Sequence, residues 1–233
     1  MSALRRSPGT EAALADGTRL RIRPIRPEDK AGLMAGMTRL SAESRRRRFF
    51  SAKDRLSESA LAYLTEVDQA DHFAWVALAV DEPGRPIVGV ARYVRVAGQP
   101  GQAEIALTVV DDYQGRGLGS LLFEALAVAA RTGGIERFVV HVLRDNIPMR
   151  RIVEGAGGHL DRDEPGVLRA VVDISSVGSQ LVGEDRYRVG AAGAATPRLR
   201  RPRRSGRRGG GRSPFPGAGR ARARASGARP GAA

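Results

Sequence analysis

Apolar and polar positions alternate strictly from Arg19 to Arg23, with Leu20 and Ile22 between three arginines. This predicts a first strand, which Pro24 ends or leaves at a sheet edge. Pro27, Glu28 and Asp29 then stand where the first turn of a helix takes a proline and acids. Leu33, Met34, Met37 and Leu40 follow, roughly on one face. Ser41 to Phe50 and Ser57 to Val67 predict two more helices, each opened by a serine cap with a glutamate close behind.

The period then changes. Phe73 to Val80 is continuously apolar and Ile87 to Val96 is rich in β-branched residues, with Asp81 to Pro86 as the turn between them. Gly98 to Gly101 turns the chain into a third apolar run, Ala103 to Val110. From Leu118 to about Arg131, Leu118, Leu121, Leu122, Ala125, Leu126 and Ala129 keep the spacing of a buried helix face, and Gly133-Gly134 supplies the stop. A strand at Phe138 to Leu143, a short helix at Asn146 to Gly155, and strands at Gly158 to Asp161 and Val167 to Ile174 complete the series. Strands and helices both alternate and cluster, so the class is α/β or α+β with a mixed sheet. Residues 1–17 lack periodicity and read as a flexible leader, 18–178 as one domain, and 179–233 as a linker and tail.

Composition changes this picture at one place. The chain of 233 residues has a net charge of +14, which suggests nucleic acid until the charge is mapped. Twelve of its 39 basic residues are arginines between Gly190 and Ala233, a stretch without an acid, and the rest carries 27 basic groups against 25 acidic. The tail is Arg, Gly, Ala and Pro, with too little apolar surface to offset its ordering entropy. Its arginine clusters could neutralise phosphates, but such runs are weak evidence of a partner and share GC-rich codons. Nucleic-acid binding through the tail is therefore not favoured. Zero cysteines exclude disulfides, thiol nucleophiles and Cys-ligated metals, and His72, His141 and His159 form no metal-binding pair. No metal is expected. Phe73 to Val80, the longest apolar run, is too short for a bilayer, and no secretory signal opens the chain. The expectation is a cytoplasmic protein that does not engage a membrane.

The most informative stretch runs from Val109 to Leu122. A strand passes into the loop Gln114-Gly115-Arg116-Gly117-Leu118-Gly119-Ser120, which opens the amphipathic helix. This puts unpaired backbone N–H groups and a positive helix end together, where an anion can sit, with Arg116 as added charge. A Walker loop would need Gly-Lys-Ser/Thr, and the dinucleotide fingerprint would need glycine where Ser120 stands. Gln-x-x-Gly-x-Gly, at Gln114, Gly117 and Gly119, fits instead. With its flanks Val-Val-Asp-Asp-Tyr and Leu-Gly-Ser-Leu-Leu, it resembles the pyrophosphate loop of the GNAT superfamily of acyl-CoA-dependent N-acyltransferases. The resemblance extends over Thr18 to Ser176. Arg23 to Asp29 looks like the usual opening of that family, and Leu40 to Phe50 is similar to a subgroup with bacterial protein-lysine acetyltransferase domains.

The resemblance implies a mixed, mostly antiparallel sheet of seven strands flanked by about four helices. Its fourth and fifth strands, Ala103 to Val110 and Phe138 to Leu143, would splay to admit the acyl-CoA arm. It also implies acetyl-CoA as co-substrate and a primary amine as acceptor, a protein lysine or a small molecule. Val109, Val110, Gln114, Gly115, Arg116, Gly117, Leu118, Gly119, Ser120 and Asn146 would contact acetyl-CoA. Asn146 is equally well placed to cap a helix before Pro148.

Acyl transfer needs a base for the amine, a polarised carbonyl and a departing thiolate. Glu104, on the strand that feeds the loop, is the candidate base, and alternation puts it on the side of Ala106 and Thr108. A backbone N–H at Val109 or a neighbour would polarise the carbonyl. One departure stands out. Many family members have a tyrosine seven residues after the asparagine, as acid toward the thiolate; here Val153 takes that place, and Gly158 stands where an aromatic is common. Tyr113 is not a substitute by position. His141 on the next strand is the fallback base. An acyl-CoA enzyme ranks first, an acyl-CoA-binding module without turnover second, and a protein directed by its tail third.

Overall fold

The computed structural model describes residues 9–51 and 54–178. The Arg-rich segment 179–233 and residues 1–8 of the leader lie outside the described residues. Eight strands form one sheet, β1 (Thr10–Ala13), β2 (Arg19–Pro24), β3 (His72–Ala79), β4 (Ile87–Val96), β5 (Gln99–Val109), β6 (Arg137–Leu143), β7 (His159–Arg162) and β8 (Val167–Asp173), in the order β1-β2-β3-β4-β5-β6-β8-β7. The helices are α1 (Lys30–Thr38), α2 (Ala42–Phe49), α3 (Glu58–Thr65), α4 (Leu118–Thr132) and α5 (Ile147–Gly155), five rather than about four.

The eighth strand corrects the reading of residues 1–17 as a leader. Thr10–Ala13 pairs antiparallel with β2, and Glu11 meets Arg21 across the ladder at 3.0 Å. Four residues with one wet face give no periodic signal, so only the partner strand reveals them. β5 also begins earlier than the apolar run suggests. Val96 pairs with Gln99 around a two-residue turn in which Gly98 takes φ 77°, so the strand starts before its apolar part.

Every strand pair is antiparallel except β5–β6, which is parallel and registers only Gln102, Ala103 and Glu104 against Arg137, Phe138 and Val139. Past Glu104 the two strands separate. β5 stays with β4 as far as Val109, while β6 follows β8 to Leu143. The sheet therefore opens into a gap between its fifth and sixth strands, the splay expected from the resemblance and displaced by one in count because of β1.

α4 packs on one face of the sheet. Leu118, Leu122, Phe123 and Leu126 are buried against Trp75, Ala91, Tyr93 and Phe138, and the Trp75 indole donates to the Ala125 carbonyl at 3.2 Å. The helix approaches closely at Gly89, where a Cβ would stand 2.8 Å from Leu122. α1 and α3 bury Met37, Leu40, Leu61 and Leu64 together, while Ala74, Val76 and Ile87 form the core on the sheet face opposite α4. Ser41 and Ser57 accept from the amides of Ser44 and Ala60, caps worth about 1 kcal/mol each. Asp29 takes a bidentate pair from Arg23 at 2.7 and 2.8 Å and a bond from the Arg26 amide, which fixes the chain between β2 and α1. No helix among the described residues is long and apolar enough to cross a membrane.

Gly158 explains the residues around it. A Cβ there would lie 2.7 Å from Val153 and 2.8 Å from Val172, both fully buried. Gly158→Ala should lower stability by about 1–3 kcal/mol through overpacking, as read from urea unfolding midpoints.

Candidate active site

The gap between β5 and β6 widens into a cleft of about 560 Å³ that runs from the glycine loop to Glu104. At the loop end the backbone N–H groups of residues 115–120 find no acceptor among the described residues. Gly115 and Gly117 adopt φ 72° and 90°, a region side chains strain to reach, and a Cβ on either would meet open space. Six amides at the start of α4 thus lack a partner, and those of Gly115, Gly117, Gly119 and Ser120 belong to residues that line the cleft, with the charge sense of an anion site.

Among the residues predicted to bind the co-substrate, Val109, Gln114, Gly115, Gly117, Gly119, Ser120 and Asn146 line the cleft. Three do not. Val110 and Leu118 are buried in the core, and the Arg116 guanidinium turns away to Asp16 at 2.6 Å, to Thr18, and onto the Tyr113 ring at 4.7 Å. That contact holds the Asp16 carboxyl well below the usual carboxylate range. The added charge expected from Arg116 is therefore already paired, and the anion would meet amides instead. Gln114 also has an internal task. Its side-chain nitrogen lies 3.0–3.1 Å from the Val109 carbonyl, Ser44 and Asp111, pinning the loop to the end of β5 and to α2. Asn146 lines the cleft and caps α5 by accepting from the Met149 amide.

Along β5 the Val110 amide bonds the Val88 carbonyl on β4. Strand alternation then aims the amides of Leu107 and Val109 the other way, across the gap, where β6 no longer pairs. Val153, at the position expected for an acid, is fully buried against Gly158 and does not line the cleft. The Tyr113 hydroxyl donates to Glu82 at 2.6 Å, and burial with that bond pushes it up to about 12. The hydroxyls that do line the cleft are Ser44, Tyr63, Thr108 and Ser120.

Glu104 sits at the last register pair before the strands part, beside Val94 of β4 and Val139 of β6. His141 follows on β6 with Nδ1 3.6 Å from Glu104. Arg48, Tyr63 and Arg92 complete this end of the cleft, and the sequence reading assigned none of them a role. Arg92 is 3% exposed, donates to the Leu64 carbonyl at 3.0 Å, and stands 2.9 Å from His72 Nε2. Burial lowers Arg92 to about 9, with the charge of Arg48 adding to the effect, and lowers Arg48 to about 10 against the pull of Glu104. The signal was an arginine at an inward step of an apolar strand, between Val90 and Val94. α2 also reaches across the mouth, where Arg46 pairs with Asp145 and Arg47 donates to the Asp145 carbonyl at 3.2 Å.

Comparison with known proteins places these features. The family described as "Acetyltransferase (GNAT) domain" matches residues 19–159. Acetyltransferase Pat of Mycolicibacterium smegmatis is 41% identical over 156 residues, covering 67% of this chain and 46% of its own. The chain thus spans about half the length of that relative. The GNAT domain of S. lividans PAT superposes with a TM-score of 0.65 at 34% identity, over 71% of this chain and 96% of that one. A Salmonella typhimurium structure with its cofactor acetyl-CoA shares the fold alone, at 16% identity and a TM-score of 0.53, over 67% and 95% of the two chains.

The pairing of His72 with Arg92 has a measurable consequence. Burial, and then the Arg92 charge, lower His72 from 6.5 to about 4, so it stays neutral in the fold. As pH falls from about 6.5 to about 4 the unfolded chain gains a proton that the native one refuses, and stability falls. His72→Gln should remove about one proton from the pH slope of unfolding free energy in that window, measured by urea titrations at stepped pH.

Proposed function

The chain belongs to the GNAT acetyltransferase family, and on that premise we propose that it is an acyl-CoA-dependent N-acyltransferase that moves the acetyl group of acetyl-CoA to a primary amine. The acceptor class that the Leu40 to Phe50 resemblance favours is a protein lysine, with small amines the other arm of the assay. The reading keeps the enzyme in the cytoplasm and makes residues 18–178, together with β1 that pairs with them, the working unit. One observation carries it: a single cleft joins a loop with unpartnered amides, lined by Gly115, Gly117, Gly119 and Ser120, to a carboxylate at the other end.

The residues divide the work along the cleft. The amides of residues 115–120 would hold the anionic end of acetyl-CoA, with Gly115 and Gly117 leaving room for close approach. From Glu104 to Val109 the strand advances roughly 17 Å at about 3.3 Å per residue. A long, thin ligand is needed to span it, and its amides could bond the edge that β5 leaves open. The N–H of Leu107 or Val109 would hydrogen-bond the thioester oxygen and stabilise the charge that develops there. Glu104 would take the proton of the attacking ammonium, directly or through one water. Asn146 would orient the arm from the opposite wall.

Two experiments test this division. Glu104→Gln should lower turnover by about 10²–10⁴-fold with little change in KM for acetyl-CoA. Activity should partly return as pH rises, because the acceptor amine then arrives deprotonated. Wild-type turnover at neutral pH would remove Glu104 from the reaction. Gly117→Val, at a residue with φ 90°, should weaken CoA binding at least tenfold, about 1.4 kcal/mol by calorimetry on the folded variant. Unchanged affinity would move the anion site elsewhere. Normal CoA affinity with no acetylated product, across lysine peptides and small amines, would favour the binding-module reading.

A further inference from the structure

His141 stands between two carboxylates. Its Nδ1 lies 3.6 Å from Glu104 Oε1 and its Nε2 3.5 Å from Asp163 Oδ2. The imidazole is mostly buried, and Nδ1 is a buried polar atom without a hydrogen-bond partner. Asp163 follows β7 and is 37% exposed, so the series Glu104, His141, Asp163 leads from the cleft to solvent.

We propose that His141 is a positioning residue for Glu104, keeping it ready as the base and relaying its proton to Asp163. The proposal rests on the reading of Glu104 as the base. An ionised carboxylate accepts and cannot donate, and the relay starts from the tautomer with the ring hydrogen on Nε2, toward Asp163 on the solvent side. Nδ1 then presents a lone pair to Glu104. While Glu104 is ionised this lone pair meets another acceptor, which accounts for the missing hydrogen bond and for the 3.6 Å separation. Once Glu104 has taken the proton of the ammonium, its O–H becomes a donor, and a shift of under 1 Å satisfies both atoms.

The proton balance closes in three steps. The ammonium N–H bond breaks as Glu104 gains O–H. That proton passes to His141 Nδ1, giving an imidazolium held between two carboxylates. The imidazolium then loses its Nε2 proton to Asp163 and solvent, leaving the hydrogen on Nδ1 and Glu104 ionised. Proton exchange with solvent after the product leaves returns the ring to its Nε2–H tautomer for the next turnover. The other charged groups on this face bear on the same ring. Arg48 lies near Glu104, while Arg169 on β8 is the register partner of both His141 and Asp161. Arg169 is exposed.

The test uses the full chain with acetyl-CoA and a lysine peptide, in weak buffer, with His141→Gln, Asp163→Asn and Glu104→Gln made singly and in pairs. His141→Gln should lower kcat about tenfold or more with KM for acetyl-CoA unchanged, and added imidazole should restore part of the loss. Asp163→Asn, on the exposed surface, should lower kcat by a smaller factor with the same rescue. In the Glu104→Gln background, His141→Gln should cost less than about twofold more, since it acts through Glu104. A His141→Gln enzyme with wild-type kcat would overturn the proposal and leave the Glu104 reading intact. So would a loss that multiplies with Glu104→Gln and ignores imidazole. Full turnover in Glu104→Gln with none in His141→Gln would instead make His141 the base and sink both readings.

Discussion

Two strands that hydrogen-bond over three register pairs and then separate impose the constraint on which the rest of the molecule depends. Beyond Glu104 the facing edges of β5 and β6 carry amides and carbonyls with no strand partner. Burying such groups unpaired costs on the order of 1–3 kcal/mol each, so the gap cannot fill with side-chain carbon. It must stay wet or hold a ligand that brings donors and acceptors of its own. α4 links the end of β5 to the start of β6 and packs under one face of the sheet, while α1 and α3 cover the other. The core is thus arranged around a place that the backbone itself leaves incomplete.

Those parts of the cleft whose signal is local were legible in the sequence. Gly115, Gly117 and Gly119 mark a glycine loop at the mouth of an amphipathic helix, which the fold sets in the cleft wall, and strand alternation alone puts Glu104 with Ala106 and Thr108. What stayed hidden depends on partners distant in sequence. β1 is a strand only because β2 lies beside it. Arg116 reads as added charge at the loop, and its pairing with Asp16, a hundred residues away, has no local signal. Val153 stands where an acid was expected, and its packing against Gly158 joins two positions that the sequence leaves unrelated. The length of β5 depends on a turn two residues long, which blurs into the glycines around it.

Arg92 shows how rigidity is placed. No carboxylate pairs with this guanidinium among the described residues, and burial weakens its hold on the proton. The Leu64 carbonyl and His72 hold it instead, joining α3 to β4 and to the start of β3. Removing either partner would leave a buried charge short of support, an expensive state in a low-dielectric interior. The end of the cleft that carries Glu104 is therefore locked by contacts from three elements.

The opposite end is held differently. α2, anchored to β5 through Ser44 and Gln114, reaches the far wall through Arg46 and Arg47 at Asp145. The Arg46 and Asp145 side chains are 45% and 51% exposed, and exposed pairs are screened over about 8 Å at physiological ionic strength. Dissolved salt can therefore loosen this clasp without touching the apolar interior. The aperture thus answers to the ionic medium at its entrance, where its ties are exposed charges, and not at its far end, where they are buried.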